Sequence, residues 1–138
     1  MADFRKIINK DKSLIGMVHL QALPGTAKSD KTPEQIIDIA VDEAAKLAGL
    51  GFDALLIENM HDTPYLLREV GPEIVATMTA AAAAVVDAVD VPVGIQVLAG
   101  ANKAALAIAH ATGANFIRAE GFAFASIADE GLMDVADA

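Results

Sequence analysis

"FDALLIENMHDTPY" (residues 52–65) opens as an unbroken apolar run and closes on Glu58, Asn59, His61 and Asp62. An apolar run without polar alternation is the pattern of a strand buried on both faces. Such a strand needs a cover on each side, and in parallel sheets the connecting helices supply it. Its last residues then stand at the C-terminal edge of the sheet, where a carboxylate and an amide serve no packing purpose. The stretch therefore predicts a parallel α/β fold with a polar cluster at one sheet edge.

Working outward, the same alternation recurs. "LIGMVHL" (14–20) reads as a first buried strand, followed by a turn broken at Pro24 and Gly25. Thr32 has the character of an N-cap, with Pro33 at the first helical position and Glu34 in the first turn. Ile36, Ile37, Ala40, Ala44, Leu47 and Ala48 give a helical apolar face to about Leu50, and Gly49 and Gly51 end it. After the strand at 53–58 and a loop, residues 73–89 form an Ala-rich helix. "VPVGIQVL" (91–98) is a third strand, 100–113 a helix closed by Gly113, and "NFIRAE" (115–120) a fourth strand. Residues 121–138 read as a loop leading into the start of another element. The order is β-α-β-α-β-α-β, with right-handed crossovers expected. No glycine-rich phosphate fingerprint follows the first strand, and "GTAKSDKT" is not a phosphate-binding loop.

Composition narrows the class. The 138 residues suit one domain, 1–138. Hydrophobic residues are 54% and charged ones 21%, enough for a core and against disorder. Lys plus Arg number 10 against 19 Asp plus Glu, a net charge of -9, which argues against a nucleic-acid surface. No cysteine is present, so disulfides and thiolate metal sites are excluded. "MADFRKIINKDK" lacks the apolar centre of a secretory signal. The run between Glu73 and Asp87, broken by Thr77 and Thr79, falls short of the ~18 apolar residues of a membrane span. A cytoplasmic protein without a transmembrane segment is expected.

Polar residues sort to the strand ends. His19 closes the first strand, Glu58 and Asn59 the second, Gln96 stands near the end of the third, and Arg118 and Glu120 close the fourth. Asn102 and Lys103 follow the third strand. Parallel strands share a direction, so these residues share an edge, where β/α barrels place their chemistry. Glu58, directly after "ALLI", starts partly buried and needs a partner or a raised pKa; Arg118 is the candidate partner. A purely structural Glu–Arg pair is the competing reading. The candidate catalytic groups are Glu58, His19 and Asp62. The candidate substrate-binding groups are Asn59, Gln96, Lys103, Arg118 and Glu120. Asp62 with Thr63-Pro64 also fits a simple Asx turn. His19, Glu58, His61 and Asp62 carry ligand atoms but lack a tight metal-binding spacing, so no metal is assigned and no cofactor is named. His110 fits a helix face, and Ser126 lacks a nucleophile elbow.

"GMVHLQALPG" (16–25), "DALLIENMHDTPY" (53–65), "VPVGIQVL" (91–98) and "ATGANFIRAEGFAFASIADEG" (111–131) together resemble the BtpA family. That family is named for a protein of photosystem I biogenesis at cyanobacterial thylakoids; relatives occur in non-photosynthetic organisms, with no assigned activity. The resemblance implies a TIM-type (β/α)8 barrel related to phosphate-binding barrels. An eightfold barrel takes ~250 residues, so this chain corresponds to about the first four βα units, a half-barrel.

Two functions follow as expectations. The resemblance implies a biogenesis factor acting on a membrane complex from the soluble side, with peripheral thylakoid contact in a photosynthetic host. The strand-end residues imply instead a barrel enzyme using acid–base chemistry on a small metabolite, with or without phosphate, in which Arg118 or Lys103 holds an anion. A half-barrel also leaves two sheet edges open. Some of Leu14, Gly16, Val18, Phe116 and Arg118 would then lose their facing partners, so self-association is expected.

Overall fold

The computed structural model describes residues 4–134. Four strands, β1 (Ile15–His19), β2 (Ala54–Glu58), β3 (Val93–Gln96) and β4 (Phe116–Ile117), form one sheet in the order β1-β2-β3-β4, every pair parallel. Helices α1 (Pro33–Gly49), α2 (Pro72–Ala88) and α3 (Asn102–Thr112) make the three crossovers. A strand order that follows chain order, with crossovers of one hand, keeps all the helices on one side of the sheet. Accordingly α2 packs between α1 and α3.

The helices start where their sequences say. The Thr32 hydroxyl accepts from Gln35 N–H at 3.3 Å and the Gln35 side chain accepts from Thr32 N–H at 3.0 Å, a reciprocal cap worth about 1 kcal/mol. Pro72 opens α2 and Gly113, at φ 75, closes α3. Ile74, Met78, Ala81, Ala82 and Val85 are the buried stripe of α2, and its alanines let the neighbouring helices approach closely.

The core lies between sheet and helices. Val18, Leu55, Ile57, Val93 and Ile95 meet Ile36, Ala40, Ala44, Met78 and Ile108 there. Strand parity follows from this. Gly16 also faces the helices, hard against Leu47 and Phe52. So Gly16 and Val18 are on the helix side, and Ile15, Met17 and His19 are on the face shared with Leu56, Glu58, Gln96, Phe116 and Arg118. This corrects the expected grouping of Gly16 and Val18 with Phe116 and Arg118: a shift of one residue moves a strand's whole set of side chains to the other face. On that second face Phe116 lies over Gly94, and the ring of Phe4, from a short 3-10 turn (Phe4–Lys6), meets Phe116 edge-on at 5.3 Å.

Residues 121–138 were expected to be loop leading into another element. Within the described part, β5 (Ser126–Ala128) and β6 (Gly131–Met133) form an antiparallel hairpin around the turn Asp129–Glu130. Met133 is buried against Leu98 and Ala99 with Tyr65 beside them. Arg68 donates to the Asp134 carbonyl at 3.2 Å and pairs with its carboxylate. The hairpin is thereby fastened to the loops that follow β2 and β3.

Candidate functional site

The register places four polar residues in one row. His19 pairs with Glu58, Glu58 with Gln96, and the Ile95–Ile117 pairing sets Arg118 next to Gln96. Arg118 N–H donates to Ile95 O at 3.0 Å, which continues the ladder to that level. All four side chains belong to the face away from the helices, at the C-terminal edge.

Glu58 is the centre of the row. It is 5% exposed; its Oε2 lies 3.3 Å from His19 Nε2 and its Oε1 4.0 Å from Arg118 Nη1. Burial pushes its carboxyl above the ordinary glutamate range, while the charges of His19 and Arg118 pull it back and Glu120 adds to the rise. The expected Glu58–Arg118 partnership is therefore a long contact, with His19 the nearer group. Gln96 is 1% exposed, and among the described residues neither atom of its amide has a hydrogen-bonding partner.

Three of the four, without His19, floor a cleft of about 560 Å³. Glu58, Gln96, Arg118 and Glu120 line it, with Met60 and Tyr65 from the loop after β2, Leu98 and Ala99 from the loop after β3, and Ser126, Glu130 and Met133 from the hairpin. The Tyr65 hydroxyl donates to Met60 O at 2.7 Å, and burial raises its pKa. Sequence reasoning missed the hairpin wall; its signal was Asp129-Glu130-Gly131 between two short apolar segments, a hairpin turn with Gly131 at φ 108.

Asn59 and Asp62 are placed otherwise. Asp62 Oδ1 accepts from Leu23 N–H at 2.8 Å and Oδ2 from Asn59 Nδ2 at 2.9 Å, while Asn59 Oδ1 accepts from Leu98 N–H at 2.7 Å. Both side chains are buried, and burial raises the Asp62 pKa against the pull of those donors. Together they bracket the loops after β1, β2 and β3. Glu120 has a mixed part: its carboxylate accepts from Gly100 N–H at 2.6 Å, and its backbone exchanges two hydrogen bonds with the Asn102 side chain. Lys103 is exposed on the first turn of α3 and does not line the cleft. His61 is exposed, its ring edge-on to His19 at 6.4 Å. Among the described residues no three His, Cys, Asp or Glu side chains are gathered as a metal site. Among them too, no helix is long and apolar enough to cross a membrane.

A parallel β/α repeat with its polar residues at the C-terminal strand ends is the class this geometry defines. Within that class the chain belongs to the BtpA family, whose model matches residues 10–138. It is 42% identical over 135 residues to an uncharacterized mitochondrial protein of Caenorhabditis elegans, covering 94% of this chain and 49% of the relative. It is 38% identical over 125 residues to an uncharacterized protein of Methanocaldococcus jannaschii, covering 91% and 48%. The photosystem I biogenesis protein BtpA of Synechocystis is 37% identical over 121 residues, covering 88% and 42%. The chain spans about half the length of the curated relatives it matches.

Proposed function

We propose that these four βα units belong to a TIM-type (β/α)8 architecture and that the strand-end cleft binds a small polar metabolite, with Glu58 as its acid–base group. One observation carries this: a buried glutamate at a strand end, its carboxyl raised by burial and within 3.3 Å of a histidine, on the floor of a cleft. Burial lets Glu58 hold a proton that a solvated carboxylate would lose; His19 receives or returns it. Sheet order in chain order with neighbouring helices packed side by side supports the barrel reading.

The second reading is a factor for membrane-complex biogenesis, and the name of the Synechocystis relative favours it. Relatives in a nematode and an archaeon, which have no photosystem, favour a function that does not depend on one.

The test is a thermal-shift screen of a metabolite library on purified protein without membranes, run on this chain and on the full-length Caenorhabditis elegans relative. The expected result is a compound that stabilises both. In this chain Glu58→Gln should fold and lose at least about tenfold in affinity, the scale of one hydrogen bond lost at a buried site. A fully retained response in Glu58→Gln overturns its assigned role. A photosystem-only function predicts no stabilising metabolite at all.

A further inference from the structure

Gln96 is fixed by register between Glu58 and Arg118, yet its side-chain amide bonds neither. Arg118 reaches past it to Glu58. The other buried amide at this edge, Asn59, is used by Asp62 and by Leu98 N–H, so the fold holds such groups where they are structurally spent. Gln96 is different: buried, on the cleft floor, with a donor and an acceptor both unused. An unpaired buried amide is a cost to folding, and an apolar side chain of equal shape would avoid it.

The unused pair selects among ligands. An ammonium group offers only donors, and a phosphate or carboxylate only acceptors. Two hydroxyls on adjacent carbons offer both. Glu58, Glu120 and Glu130 line the same cleft against Arg118 as its basic group, and Arg118 already faces Glu58. A protonated Glu58 offers hydroxyls a donor and an acceptor, the Glu120 and Glu130 carboxylates accept from hydroxyls and repel anions, and the chain's net charge of -9 adds to the repulsion.

Resting on the reading of the cleft as a metabolite site, we infer that its ligand is an uncharged polyhydroxylated compound, a sugar or cyclic polyol, and that Gln96 sets specificity by reading two neighbouring hydroxyls. A cleft of about 560 Å³ accommodates a ligand of that size.

Two measurements test it on the whole chain. Without ligand, Gln96→Met should raise the melting temperature by about 3 °C or more, because it removes an unpaired dipole at constant shape. A lowered melting temperature would mean that the amide is structural, and the inference would be lost. The second is an amide-resonance titration with glucose and myo-inositol, their monodeoxy analogues, their phosphate esters, ethanolamine and 2-pyrrolidone. A parent sugar or polyol should move the Gln96 side-chain amide signals. Loss of one hydroxyl should weaken binding about tenfold, and Gln96→Met should abolish that discrimination. If the esters, the amine or the lactam bind better than the parent polyols, the ligand class is wrong although the cleft remains a metabolite site. If no compound of this panel perturbs the Glu58–Arg118 row, the polyol inference is lost, while the metabolite reading is decided by the library screen.

Discussion

At Glu58 and Asp62 burial raises both carboxyl pKa values, but the surroundings give the two residues opposite responses to neutralisation. A carboxyl raised in the fold stabilises it most below the unfolded glutamate value, and that contribution is lost as pH rises through the folded value. Glu58→Gln mimics the protonated form, so its stability relative to the parent should climb from acidic to neutral pH. Asp62→Asn should instead destabilise throughout, by about 1–3 kcal/mol, because an amide N–H₂ would then face either Leu23 N–H or the Asn59 amide. Melting curves of both variants between pH 4 and 8 check this; parallel curves for Glu58→Gln and its parent would show that burial does not raise the Glu58 carboxyl. The sequence made both residues visible as candidates, since each follows a run that has to be buried. It could not separate them. Asp62 is distinguished by the backbone N–H of Leu23, 39 positions away, and no local pattern reports that.

Strands and helices were legible nearly to the residue where their signal was local. The cap at Thr32 and the apolar run ending at Glu58 stand as read, and the Ala-rich helix expected at 73–89 is α2, Pro72–Ala88. The third strand was read through Leu98 but leaves the sheet after Gln96, because Leu98 N–H turns to Asn59 and Ala99 pairs with the loop at Leu66 and Arg68. The fourth was read to Glu120, whereas Glu120 is drawn off by Gly100 and Asn102. Apolar character continues past the point where tertiary partners take over the backbone. Inter-strand packing was equally invisible. A Cβ at Gly94 would stand 2.2 Å from the Phe116 ring, so Gly94→Ala must displace that ring from its place beneath Phe4. The expected cost is about 1–3 kcal/mol, partly recovered by Phe116→Leu in the double variant. Additive losses in chemical denaturation would contradict that coupling.

For the whole molecule, the sheet ends in β1 on one side and β4 on the other. Phe122 is 63% exposed, Phe124 87% and Ile127 89% on the segment that follows β4. Open parallel edges and apolar surface together favour pairing between copies, β4 of one against β1 of another. Light scattering at micromolar concentration should therefore report a mass above that of one chain. A monodisperse monomer with slowly exchanging amides in β1 and β4 would show that the chain shields its own edges.

The sheet order has a kinetic consequence as well. Each strand pairs only with the strands before and after it in the chain, and each helix packs against its sequence neighbours. Apart from the Phe4 turn, which meets Phe116 of β4, no early strand or helix among the described residues waits for a distant one before it can be covered, so loop closure is cheap at most steps. A ribosome releasing this chain would present β1 and α1, then β2 to dock beside them, then each further unit onto a template already in place. The sheet can grow in the direction of synthesis, one strand at a time.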